Sequence, residues 1–282
     1  GYLWLATLCS NGFGGILADD MGLGKTLQVI VFLYAHYIVQ GETNRNTLIV
    51  CPASLVYNWA QECQHFAPKL PVCTVAGTAA ERRELLDSLP DHPGQILITS
   101  YDLLRRDIEQ YQNLTFDYQI IDEAQFIKNA TTKAAQAVKQ INSRFRLALT
   151  GTPVENRLGE LWSIFDYLMP GYLFSYSRFR EELELPIIQQ QDEDALHRIQ
   201  KMIAPFILRR LKEDVLKDLP EKLEEVRYVK FEDAQQKLYD AQVVHMKEKI
   251  AQQDEGEFNK SKLWILAELT KLRQICCSPS LC

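Results

Sequence analysis

"GGILADDMGLGKTLQVI", residues 14 to 30, sets an apolar run, a glycine-bearing turn and the first turns of an amphipathic helix in immediate succession. Strand, loop and helix in that order are what a phosphate cradle requires. It needs consecutive backbone N–H groups turned inward, a helix start behind them, a lysine for the outer phosphates and a hydroxyl for magnesium. Asp20, Met21, Gly22, Leu23, Gly24, Lys25, Thr26 and Leu27 form the candidate nucleotide-binding stretch. In it Gly22 and Gly24 supply unusual backbone angles, Lys25 the cation and Thr26 the hydroxyl. Asp19 occupies the position where the common G-x-x-x-x-G-K-[ST] pattern has glycine. An aspartate there is expected to hydrogen-bond its own backbone in the turn or to adopt a left-handed conformation. Taken alone, the motif also describes a strand-to-helix turn with a solvated lysine; its flanking elements favour the phosphate reading.

Outward from this stretch, short β-branched or apolar runs recur at 14–18, 47–51, 95–100, 118–122 and 145–149, with helical patterns at 26–39, 55–66 and 132–141 between them. Alternating β and α elements predict an α/β fold with a mostly parallel sheet covered on both faces. Ligands in such sheets lie beyond the carboxyl ends of the strands, which directs attention to the loops there. After Pro153 the pattern changes. Leu158, Leu161, Trp162, Phe165 and Leu168 mark a helix stripe that stops at "MPG", residues 169–171. Helices are expected at 193–203, 233–250 and 262–276, with one strand-like run, "EEVRYVKF", at 224–231.

"YQIIDEAQ", residues 118–125, places two adjacent acids at the end of a buried strand, where unpaired charge is costly. A metal would settle that cost: Asp122 would hold Mg²⁺ with Thr26, and Glu123 would polarise the water attacking a γ-phosphate. A lone D-E pair more often marks a solvated turn, so this reading leans on the upstream loop.

Composition excludes several classes. With 46% hydrophobic and 24% charged residues, the chain reads as globular rather than disordered. The longest apolar run, 27–39, is too short to span a bilayer and contains His36, so no membrane partner is expected. Seven cysteines form no C-x-x-C pair and suit reduced core thiols of an intracellular protein. A net charge of −6 leaves nucleic-acid binding to a local groove. The opening residues read as interior helix, so Gly1 is expected to lie within a longer chain.

These motifs occur in an order that resembles the first ATPase lobe of Swi/Snf-type helicase-like motors of superfamily two. The resemblance is carried by "GGILADDMGLGKTLQVI", "LIVCPASLVYNWAQE" (48–62), "ITSYDLLRRD" (98–107), "IIDEAQFIKNA" (120–130) and "LALTGTPVENRLGELWSIFDYLMPGYL" (147–173). "FILRRLKEDVLKDLPEK" (206–222) and "LTKLRQICCSPSL" (269–281) resemble the family's helical extension. The resemblance implies a RecA-like P-loop NTPase lobe at 1–169 and a helical protrusion at 170–282, with the strand at 224–231 returning to the lobe. It also implies ATP and Mg²⁺ as ligands, movement along double-stranded DNA, remodelling of DNA-bound proteins, and a second RecA-like lobe that brings arginine fingers. Without that lobe, 282 residues alone are expected to turn over ATP barely, if at all.

Residue by residue, Lys25, Asp122, Glu123 and Gln125 take catalytic roles, Gln125 standing where many relatives have histidine and linking the site to "LTGTP" at 149–153. Ser54, Asn58, Ser100 and Tyr101 follow strands and are candidate nucleic-acid contacts, although Ser54 also fits a helix cap. Trp59 reads as core. Arg209, Arg210 and Lys212 fit DNA, the second lobe or a solvated helix face. A nucleotide-sensing scaffold and a small-molecule kinase are the competing readings. The DEAQ form points to a bacterial, nucleoid-associated setting, and to the nucleus if the source is eukaryotic.

Overall fold

A computed structural model describes residues 1–41, 45–151, 158–215, 225–251 and 262–278. Its strands are β1 (Gly15–Leu17), β2 (Asn46–Cys51), β3 (Val72–Thr74), β4 (Ile96–Ser100), β5 (Thr115–Ile121), β6 (Asn142–Leu149) and β7 (Ile207–Leu208). They form one seven-stranded sheet in the order β3-β4-β2-β5-β6-β1-β7. Every described pairing is parallel, with Ile49 registered on Ile98 and Ile120, and Ile16 on Ala148 and Ile207. The fold is therefore α/β and RecA-like, as expected.

Why the strands read as unbroken apolar runs is visible in β2. Leu48 and Val50 enter one core cluster, while Ile49 and Cys51 enter another on the opposite face. A parallel sheet is covered by crossover helices on both sides, so neither face alternates with polar residues. The helices Lys25–Tyr34 and Val56–Phe66 pack Ile30, Leu33 and Trp59 into the second cluster; Leu158–Leu168 packs Ile164 and Phe165 into the first.

The apolar run at 27–39 is one helix followed by a π-helical turn, Ala35–Val39, where His36 is buried with Nε2 3.3 Å from Asp117 Oδ2. Among the described residues, no helix is long and apolar enough to cross a membrane. Helices at Glu193–Ile203, Asp233–Ala251 and Lys262–Cys277 lie where the periodicity placed them.

Three features differ from the sequence reading. The chain divides into compact units Gly1–Leu219 and Pro220–Cys282, so the first extends well beyond residue 169. Its later helices bury Phe179, Leu183 and Ile199 in the same cluster as Leu48 and Val50, which ties 170–206 to the lobe. Secondly, residues 225–231 form no strand, and Val226, Tyr228 and Val229 are exposed. β7, two residues long and without any alternation to reveal it, joins the sheet beside β1. Thirdly, Cys9, Cys51 and Cys63 are core thiols, but Cys276 and Cys277 are exposed.

The second unit contains the helices Asp233–Ala251 and Lys262–Cys277. Gln235 Nε2 on one donates to Ile275 O on the other at 2.7 Å, and the nearly buried Glu268 accepts from Gln242 and pairs with Lys271.

Candidate nucleotide site

The carboxyl ends of β1, β5 and β6 open onto one region. From β1 the chain turns through residues 18–24 into the helix Lys25–Tyr34, whose N-cap is Gly24 in the left-handed conformation (φ +70°). Gly22 also has positive φ (+88°), a conformation that side-chain-bearing residues rarely adopt. Two such angles within three residues curl the backbone around the helix start. There the free N–H groups and the helix dipole favour an anion. Lys25 Nζ donates to Asp19 O at 2.7 Å and Asp20 O at 3.3 Å, so its ammonium lies within the loop rather than in water. From β6, Gly151 comes close: a Cβ built on it would lie 3.0 Å from Met21 Cγ and 3.9 Å from Lys25 Nζ.

β5 delivers Asp122 and Glu123. Asp122 is 9% exposed, and both its oxygens are engaged: Trp59 Nε1 donates to Oδ2 at 2.9 Å and the Glu123 amide to Oδ1 at 2.9 Å. Burial pushes its carboxyl above the usual range, against the Trp59 and Glu123 hydrogen bonds; the Glu123 charge adds to the rise and Lys25 opposes it. A carboxylate held there would gain from a nearby cation. That observation, with the left-handed loop and the Thr26 hydroxyl in the first helical turn, makes the donor set fit a hard ion such as Mg²⁺.

Glu123 is one of few non-glycine residues with positive φ (+52°) among those described. The two adjacent acids take different partners, Asp122 accepting from Trp59 and Glu123 from Gln125, and the positive φ carries a conformational cost. Gln125 Nε2 donates to Glu123 Oε2 at 2.6 Å, and Gln125 Oε1 accepts from Thr150 Oγ1 at 3.3 Å. The glutamine thus bridges the acid to the end of β6. Thr152 and Pro153, the rest of that expected link, lie outside the described residues.

Asp19 neither caps its own turn nor takes a left-handed angle. It is fully buried, and Arg210 binds it with its backbone N (3.1 Å to Oδ1), its Nε (3.0 Å to Oδ1) and its Nη2 (to Oδ2). Gln28 Nε2 adds a fourth donor at 3.1 Å. Burial disfavours the carboxylate, but Arg210 and Gln28 together outweigh it and hold Asp19 below its usual pKa. Nothing in the local sequence signals a partner 191 positions away. Nor does periodicity reveal that Trp59, read correctly as core, also aims a donor at Asp122.

The four candidate nucleic-acid residues separate. Ser54 and Asn58 are exposed beyond β2; Ser54 caps no helix, and Asn58 Nδ2 donates to Glu62 Oε1 at 3.2 Å. Ser100 and Tyr101 turn inward, 2% and 4% exposed. Ser100 Oγ accepts from the Leu103 amide as an N-cap, and Tyr101 Oη donates to Asp122 O at 2.7 Å. Both are used up by the fold, so neither presents a surface. The Tyr101 ring carries instead a stacked, half-exposed Phe126, centroids 5.0 Å apart. Arg209 and Arg210 lie on the extended segment after β7 rather than on a helix face.

Comparison with known proteins covers nearly the whole chain. The family model described as the SNF2-related domain matches residues 1–281. An uncharacterised ATP-dependent helicase of Mycoplasma genitalium is 42% identical over 98% of this chain and 26% of its own length. A putative ATP-dependent helicase/translocase of Bacillus subtilis is 40% identical over 100% and 30%. The yeast TATA-binding protein-associated factor MOT1 is 38% identical over 100% and 16%. The Sulfolobus solfataricus SWI2/SNF2 ATPase core in complex with dsDNA superposes with a TM-score of 0.70 at 37% identity, over 100% of this chain and 57% of that one. The chain thus spans less than a third of the length of these curated relatives. A match of this extent, over a sheet and loop built as described, means that the chain belongs to the SNF2-related family and corresponds to the first lobe of a SWI2/SNF2 ATPase core.

Proposed function

We propose that this chain is the ATP-binding motor lobe of a DNA-stimulated ATPase that translocates on double-stranded DNA and remodels protein–DNA complexes. The observation that carries the reading is the convergence of Lys25, Asp122, Glu123 and Gln125 beyond the carboxyl ends of the strands, with Gln125 joining Glu123 to Thr150. The names of the relatives, helicase, translocase and a dsDNA-bound ATPase core, support it.

In this reading the loop from Asp20 to Leu27 binds the triphosphate by backbone N–H groups, and Lys25 leaves its carbonyl partners for the outer phosphates. Thr26 and Asp122 would hold Mg²⁺, and the ion would supply neutralisation of phosphate charge. Glu123 takes the proton from the attacking water, and Gln125 holds that carboxylate in place while reporting on the end of β6. The exposed Ser54 and Asn58 offer DNA phosphates neutral donors, which suits a chain of net charge −6. A second RecA-like lobe from the same full-length protein completes the site. Its arginine fingers are worth roughly 10³ to 10⁵ in related phosphoryl transfers, so the 282 residues alone hydrolyse ATP weakly.

The test is Glu123→Gln in the intact protein. Nucleotide affinity should stay within about twofold while DNA-stimulated hydrolysis falls at least about 100-fold. Unchanged hydrolysis removes Glu123 from its role. ATP binding by the wild type with no turnover on duplex DNA would favour the scaffold reading.

A further inference from the structure

After β7 the chain runs beside the phosphate loop and is fastened to it residue by residue. The Ala18 amide donates to Leu208 O at 2.7 Å and the Asp20 amide to Arg210 O at 3.0 Å. Arg210 clamps Asp19 and donates to Gln28 Oε1 at 2.7 Å, and the Lys212 amide donates to Asp20 Oδ2 at 3.0 Å. Main-chain and side-chain bonds together fix the register of residues 208–212 against residues 18–20.

That register lays the Lys212 side chain on the loop. A Cβ built on Gly22 would lie 3.3 Å from both Lys212 Cε and Nζ. An exposed lysine ordinarily extends its head into water. Here the ammonium folds back onto the glycine at the centre of the loop, and among the described residues no hydrogen bond or ion pair engages it. Lys25, by contrast, is held by two carbonyls of the loop. The loop therefore has one engaged cation and one unengaged cation close to it, brought there by a segment nearly two hundred residues later in the chain. A compact point charge of this kind suits phosphate oxygens.

We propose that Lys212 is a second phosphate-binding ammonium of the nucleotide site, delivered by the Arg210–Asp19 clamp. The proposal rests on the nucleotide reading of the loop and adds a contact that scales with phosphate charge. Losing it should weaken ATP about tenfold, ADP less and adenosine hardly at all.

The experiment titrates ATP, ADP and adenosine against the intact wild-type protein, Lys212→Met and Lys212→Arg, at two salt concentrations. Methionine retains the stem and the backbone amide bonded to Asp20, so folding is preserved, and circular dichroism checks that it is. Expected are a graded loss in Lys212→Met, a shallower salt dependence of ATP binding, and recovery in Lys212→Arg. Wild-type ATP affinity in Lys212→Met overturns the proposal, as does an equal loss for all three ligands, which would mark a structural role. A wild-type protein that binds none of them would overturn the nucleotide reading itself, and this inference with it.

Discussion

Asp19 shows how one residue can leave a motif's consensus and still serve it. Its carboxylate is the buried anchor for Arg210, so restoring glycine would remove the clamp rather than repair the loop. Asp19→Gly should destabilise the chain by about 2–3 kcal/mol at pH 7, because four donors lose their acceptor while the partly exposed Arg210 rehydrates. Since Asp19's folded pKa is lowered, its stabilisation is present above the unfolded value and is lost as pH falls through the folded one. The gap between denaturant melts of wild type and variant should therefore be full at pH 7 and narrow as pH falls through the lowered folded pKa of Asp19. A constant gap at acid pH would remove ionisation from the account. Glu123 is the other single-residue device, a left-handed backbone position in a pair of adjacent acids that take different partners, Trp59 and Gln125.

At the scale of elements, the helix Val56–Phe66 both covers the sheet and steers the site, since Trp59 is at once a buried core side chain and the donor to Asp122. Trp59→Phe separates those duties. The smaller ring should cost about 1–2 kcal/mol, while the unanchored Asp122 should lower turnover of the intact protein at limiting Mg²⁺ roughly 10-fold or more. Steady-state rates across a magnesium titration check this; a stability loss with unchanged magnesium dependence would leave Trp59 as core alone. β7 is an element of the same kind. Two residues of strand matter because they align Arg210 and Lys212 with the loop beyond β1.

For the whole molecule, burial sets reactivity as well as stability. In the first unit, burial pushes the Cys9 and Cys51 thiols up to about 12 and Cys63 up to about 11. At pH 8 each is thiolate to about one part in a thousand or less, and the reagent must also reach it. Cys276 and Cys277 in the second unit are exposed. Brief alkylation of the native chain followed by peptide mass spectrometry should therefore label Cys276 and Cys277 and spare Cys9, Cys51 and Cys63 until denaturant is added. Rapid native labelling of Cys51, fully buried at the carboxyl end of the interior strand β2, would contradict the core described above.

Periodicity and local chemistry were enough for the parallel α/β class, because both-face burial writes continuous apolar runs such as 47–51 and 118–122 into the sequence. The loop glycines, Lys25 and the acid pair were legible for another reason: their spacing is local. A local signal at Thr78 and Glu81, which form a capping box, was also present, although the helix Ala79–Ser88 behind it was not anticipated. Only the tertiary structure decided the Arg210 clamp on Asp19, the Trp59 bond to Asp122, the inward turn of Ser100 and Tyr101, and the strand at 207–208. Apart from the local Ser100 cap, each depends on groups far apart in the chain meeting in space, and a contact of that kind leaves no period in either segment that makes it.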